Sequence, residues 1–271
     1  QARIAEIIDA TPAPGLVHVT AKLAALATLI ALQLAILTGI GIAYQLANGA
    51  PQINLSFYAV ENFLGSGLQV LLFCALAMLV HALLPSRMLA HITVLALTIG
   101  VIISEELGLE DKLVRFGMMP TVPLSDMNGL GHYLKPALSF FFYWSGVAVI
   151  MVLLADLLRD RGNGTSLGSR LRALRHAPRA HLALALLAGA SSTALGVFLY
   201  RNTHVLNDYE TKAQTEQRTV RLERDCAAIA KAPQPRITDL DLTVDLMPER
   251  RAYVSRGRMT LKNIGTAPIA V

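Results

Sequence analysis

The chain of 271 residues alternates long apolar runs with short polar connectors. Five runs approach the ~20 residues that a helix needs to cross a bilayer: 21–47, 63–84, 88–104, 137–158 and 180–200. The third is the weakest, being short and interrupted by His91. Hydrocarbon offers no water to backbone N–H and C=O groups, so such runs fold as helices that satisfy themselves. The pattern therefore predicts a mainly α, polytopic membrane bundle with five spanning helices over 21–200.

After 201 the pattern changes twice. Residues 201–235 are polar and charged, with Asn207-Asp208 as an expected cap and Pro233 and Pro235 as stops. Tyr209, Ala213, Val220 and Ala227 give this stretch a thin apolar stripe, which predicts a short stalk helix. From Arg236 the period becomes two. Leu240, Leu242, Val244 and Leu246 alternate with Asp239, Asp241, Thr243 and Asp245, the pattern of a half-buried strand. Pro248-Glu249-Arg250 reads as a turn into a second strand through Ala252, Val254, Met259 and Leu261, with a bulge expected at Gly257. Two strands are not stable alone in water. Residues 236–271 are thus expected to open a larger β-domain, and the chain, running from Gln1 to Val271, to be an internal part of a longer polypeptide.

Composition sharpens the membrane reading. Hydrophobic residues make up 54% and charged residues only 16%, with a mean hydropathy of +0.48. Ordinary soluble domains carry about 25% charge. The net charge of +5 could suggest nucleic acid, but the arginines are placed by topology. Arg159, Arg161, Arg170, Arg172, Arg175 and Arg179 crowd one connector against a single acid, Asp160. Loops of that kind stay cytoplasmic. The opposite loop, 105–135, holds Glu105, Glu106, Glu110, Asp111 and Asp126 against Lys112, Arg115 and Lys135. Residues 1–20 and 159–179 are then expected inside, with 48–62, 105–135 and everything after 201 outside. No nucleic-acid partner is expected.

Little catalytic chemistry is visible. The glycine cluster from Gly162 to Gly168 lacks the lysine of a phosphate loop, and no H-E-x-x-H occurs. Cys74 and Cys226 form neither a disulfide framework nor a C-x-x-C pair. The seven histidines show no metal-ligand spacing, and His81 and His91 read as interfacial or helix-packing residues. Glu105 and Glu106 close a membrane helix within reach of the interface. Asn54-Leu55-Ser56 and Asn163-Gly164-Thr165 fit a glycosylation pattern too common to carry weight. Ala188, Ser192 and Gly196 recur at four-residue spacing, the register that lets helices approach closely in lipid.

Two stretches resemble a known family. EIIDATPAPG, Glu6 to Gly15, followed by Lys22 and a long apolar helix, resembles the cytoplasmic loop between the second and third helices of type-2 ABC transporter permeases. There the loop forms a coupling helix that docks on the ATPase subunit. The resemblance assigns that contact to Glu6, Ile7, Ile8, Asp9 and Thr11. It makes runs one to four correspond to the family's helices three to six. Independently, Ile4, Ile7 and Ile8 give an apolar face, and Pro12 and Pro14 end any helix there. The stretch FGMMPTVPLSDMNGLGHYLKP, Phe116 to Pro136, resembles bacterial permeases fused to an aminopeptidase-N-like zinc metallopeptidase domain, through Asp126, Asn128, Gly129, Gly131 and His132. Residues 237–263 resemble the first two strands of that peptidase's β-sandwich.

The resemblance implies a bacterial inner-membrane permease, exporter-like, with its C-terminal end in the periplasm. Its partners would be the lipid bilayer and a cytoplasmic ABC ATPase, with homo-oligomers left open. This chain would hold no cofactor: ATP belongs to the partner, and zinc only to a domain downstream. Two rival readings follow from the same residues. One is a membrane-anchored zinc aminopeptidase whose helices are an anchor. The other is a non-transporting envelope scaffold.

Overall fold

The computed structural model describes residues 14–49, 52–123, 130–159, 168, 174–231, 234–247, 252–265 and 269. The chain forms two compact units, Gln1–Tyr209 and Glu210–Val271.

The first unit is helical. Helix α1 is Gly15–Ala47, and α2 runs over Leu55–Leu83. Helices α3, α4 and α5 are Arg87–Ile103, Leu134–Leu158 and Arg179–Tyr200. Among the described residues four stretches are long and apolar enough to cross a membrane: α1, α2, α4 with its preceding turn (Gly131–Leu158), and α5 with its extension (Arg179–Val205). The expected fifth span is shorter. Helix α3 has 17 residues, about 26 Å at 1.5 Å per residue, against a hydrocarbon core of about 30 Å. Ser86 and Ser104 at its ends, the first accepting from Leu89 N–H at 3.4 Å, stop it early.

Helix α4 is the hub, packing most extensively on α2 and α5 and also on α1. Trp144, Ala148 and Val152 of α4 meet Leu72 and Ala75 of α2 and Val19 of α1 in the buried core. On its other side α4 approaches α5 closely. A side chain at Gly146 would collide with Ser192 and come within 2.9 Å of the Ala188 carbonyl. Ser192 Oγ donates to the Tyr143 carbonyl at 3.0 Å, and a Cβ at Gly196 would lie 3.1 Å from the Tyr143 ring. Helix α2 contains a wide, π-helical stretch, Ala59–Gly67, between its α-helical ends. Asn62 within it donates to Thr38 of α1 at 2.9 Å.

The second unit holds helix α6, Lys212–Lys231, and the strands β1, Arg236–Met247, and β2, Ala252–Lys262. The helix begins later than the Asn207-Asp208 cap expected from sequence. Thr211 Oγ1 accepts from Gln214 N–H at 3.3 Å and Gln214 Oε1 accepts from Thr211 N–H at 2.9 Å. This reciprocal capping box satisfies two orphan donors at once, which a single Asn or Asp does not. The strands pair antiparallel.

The expected bulge at Gly257 is absent. Gly257 pairs regularly with Leu242, and the irregularity falls between Ile237 and Asp239. Glycine serves a different need at 257, since a Cβ there would sit 2.5 Å from the Asp241 carbonyl oxygen. The extra residue near Thr238 returns Ile237 to the face of Leu240, Leu242 and Leu246, a register a strand without a bulge would lose. That apolar face is open, with Leu240, Leu246 and Tyr253 at 52%, 72% and 70% exposure.

Candidate functional site

Polar groups are scarce inside the helical unit, so those buried there identify themselves. The Val19, Lys22, His81, His91 and Arg159 side chains line one cavity, which places the start of α1, the end of α2, the start of α3 and the end of α4 together. We call this the Arg159 end. Helix α5 begins there too, because His181 in its first turn bonds Asp156 near the end of α4, Nε2 to Oδ2 at 2.9 Å. Asp156 is 1% exposed and His181 9%. A carboxylate only accepts, so the shared proton sits on Nε2 whenever Asp156 is ionised. The second ring nitrogen, Nδ1, is buried and has no partner among the described residues. The pair thus leaves one buried ring nitrogen without a hydrogen bond.

The opposite end is organised around Arg115, which is 5% exposed although it lies in a connector. Its Nη1 meets Glu105 Oε2 at 2.6 Å and its Nε donates to Ser104 Oγ at 3.0 Å. Its Nη2 reaches the Val101 and Ile102 carbonyls, each at 3.4 Å. These carbonyls belong to the last turn of α3, where backbone donors run out, and Ser104 Oγ also donates to Val101 O at 2.7 Å. The same connector is sewn to α4, with Tyr143 Oη donating to Leu113 O at 3.1 Å and Trp144 Nε1 to Met118 O at 3.2 Å. Phe116 stacks edge-on between Phe73 and Trp144, at 5.6 and 5.3 Å.

Beside this clamp, His204 Nε2 lies 3.4 Å from Asp111 Oδ2, and its ring is stacked between Tyr200 and Tyr209, each 4.6 Å away. Burial pushes the Tyr209 phenol above its ordinary pKa, and the charges of Asp111, Glu110 and Glu105 add to the shift against Arg115.

The residues singled out from the sequence fall unevenly. Glu6, Ile7, Ile8, Asp9 and Thr11 lie outside the described residues, as do Asp126, Asn128 and Gly129. Gly131 has a φ of 49° and starts a single 3-10 turn leading into α4; His132 in that turn lies 4.1 Å from the Tyr133 ring. Ala188, Ser192 and Gly196 lie along the α4–α5 contact. His81 and His91 meet edge-on at 4.6 Å between α2 and α3. Sequence reasoning missed Asp156, His181, Arg115 and His204. For Asp156 the signal was present, an acid inside the run MVLLADLL.

Against known protein families, curated proteins and solved structures, the chain shows no match. The geometry stands alone. Among the described residues no cluster of three or more His, Cys, Asp or Glu side chains could hold a metal ion. What the two ends offer is buried hydrogen-bonding and charged groups held between helices.

Proposed function

We propose that the chain is the membrane permease portion of a bacterial ABC-type, exporter-like transporter that leads into an aminopeptidase-like domain in the periplasm. In this reading α3 is the fifth span, accommodated by local thinning of the bilayer, and residues 1–20 and 159–179 face the cytoplasm. Helix α6 is a stalk carrying the strands outward. A separate cytoplasmic subunit binds ATP and docks on Glu6, Ile7, Ile8, Asp9 and Thr11. Its closure pushes on that segment, and the helices rock between two arrangements.

The observation that carries this reading is the Asp156–His181 pair, buried where α4 meets α5. Ionisable groups inside membrane helices are costly and cluster at moving or conducting sites. An inert anchor gains nothing from them. A bundle with two arrangements gains a directional contact that can break and reform. The resemblance of Glu6 to Gly15 to a coupling loop says what would drive it.

One observation favours the anchored-peptidase reading instead. The open apolar face of the β-hairpin, with Ile237, Leu240 and Leu242 at 53%, 52% and 50% exposure, is the kind that further strands complete. There the helices would only hold a downstream zinc domain at the membrane.

Ile8→Asp separates the two. In the full-length protein expressed with its neighbouring ATPase, this change puts an unpaired charge into the docking contact. Co-purification and stimulated ATP hydrolysis should both be lost at normal membrane abundance. Glu6→Lys, a rim change, should weaken association less. Unchanged association with Ile8→Asp sinks the transporter reading and leaves an anchor or a scaffold.

A further inference from the structure

The cavity at the Arg159 end is built from four helices and has a volume of roughly 450 Å³. Its polar lining is entirely basic or imidazole: Lys22 from α1, His81 from α2, His91 from α3 and Arg159 just past α4. No acid lines it among the described residues. The rest of its wall is apolar, with Met78 and Val94 facing the same space. Lys22 and His91 are exposed, so the mouth opens on the outer surface of the helices, the surface that faces lipid in a spanning bundle.

Depth matters as much as charge. Lys22 is the eighth residue of α1, about 10 Å along its axis, the level of headgroups and glycerol in a bilayer leaflet. Among the described residues it makes no ion pair. An ammonium at that level stands beside lipid phosphates, and one held against it adds a charge-assisted contact.

We propose that this cavity binds one anionic phospholipid, its phosphate between Lys22, Arg159 and the His81–His91 edge, and one acyl chain along Met78 and Val94. A lipid is the fitting source of the phosphate because a soluble anion would leave the apolar wall bare. Basic pockets between membrane helices recognise acidic headgroups by this combination of charge and apolar surface.

Titration of the full-length protein in detergent, followed by native mass spectrometry, tests the site with dioleoyl phosphatidylglycerol and dioleoyl phosphatidylcholine, which share chains and differ in charge. One phosphatidylglycerol should bind at least about tenfold more tightly than phosphatidylcholine, the effect expected of two or more basic groups at the surface. Lys22→Gln should weaken phosphatidylglycerol about fivefold, leave phosphatidylcholine unchanged, and be rescued by Lys22→Arg. Met78→Trp fills the apolar wall without touching a charge and should weaken the lipid as well. Equal affinity for the two lipids overturns the proposal, as does a preference unaltered by Lys22→Gln. Displacement of the lipid by millimolar inorganic phosphate also overturns it, since the occupant is then a soluble anion. If Lys22→Gln melts early, Met78→Trp decides, and undiminished phosphatidylglycerol binding in that variant rejects the site.

Discussion

The two ends of the helical unit both bury a hydrogen-bonded pair that includes a carboxylate side chain, and they use it differently. At the Arg115 end each guanidinium nitrogen has a partner: Ser104, Glu105, and the last carbonyls of α3. The Glu105 side chain remains 33% exposed, so part of the pair is wet. At the Arg159 end the Asp156 side chain is 2% exposed, and its partner His181 keeps an unbonded, buried Nδ1. A saturated cluster holds one geometry. A cluster with an unbonded ring nitrogen can take up a new partner without dismantling the helix contact. The first is a clamp for a connector, and the second is suited to change.

The largest test of that contrast is His181→Leu. Removing one partner of a buried pair costs about 3 kcal/mol or more, read as a lower melting temperature through the single tryptophan, Trp144. Replacing both residues, His181→Leu with Asp156→Leu, should recover most of the loss, because an apolar pair of similar size no longer buries charge. If the pair is only structural, the double variant keeps function as well as stability. In the transporter reading it stays folded and loses ATPase-driven turnover.

Arg115→Met should cost less, about 2 kcal/mol, because water can reach Glu105 once the guanidinium is gone. Its signature is local. Amide exchange should accelerate in 104–118 while the α4–α5 contact keeps its protection. Equal deprotection of both ends would erase the distinction drawn between them.

The smallest effect concerns Tyr209. Its raised pKa means that the folded state holds the phenolic proton more tightly than the unfolded state does. The associated stability is therefore present below the ordinary tyrosine pKa and is lost as pH rises through the folded value. Asp111→Asn removes one of the charges behind the shift, so Tyr209 should ionise at lower pH, followed by tyrosinate absorbance against a Tyr209→Phe reference. An unchanged titration would detach the Tyr200–His204–Tyr209 stack from the acids beside it.

Much of this architecture was legible in the residues, for identifiable reasons. Long apolar runs leave the backbone one solution, so α1, α2, α4 and α5 follow from hydropathy alone, within a few residues at most ends. Alternation with period two gave both strands. What failed were features set by tertiary register. Nothing in the local pattern says that Thr238 and not Gly257 absorbs the extra residue, because that depends on which face Ile237 must join. The cap at Thr211 was readable as T-x-x-Q but was masked by the more obvious Asn207-Asp208. Arg115 reads as a solvated loop charge until α3 ends and presents its last carbonyls to it. His181 stands at the edge of a run, where a histidine looks interfacial, and only its partner 25 residues earlier gives it a role.

The π-helical stretch Ala59–Gly67 has a consequence for tolerated changes in chain length. In an α-helix each residue turns the chain by about 100°, so deleting one residue swings everything beyond it off its packing face. Between Leu68 and Leu71 such a deletion would carry Leu72 and Ala75 off their packing face. Within 59–67 the helix holds slack, since i→i+5 bonding can tighten to i→i+4 and absorb a lost residue in place. Among homologous chains, single-residue gaps in this helix should therefore gather at this stretch and spare Leu68–Leu83, and a designed deletion at Ser66 should fold where one at Ala75 does not.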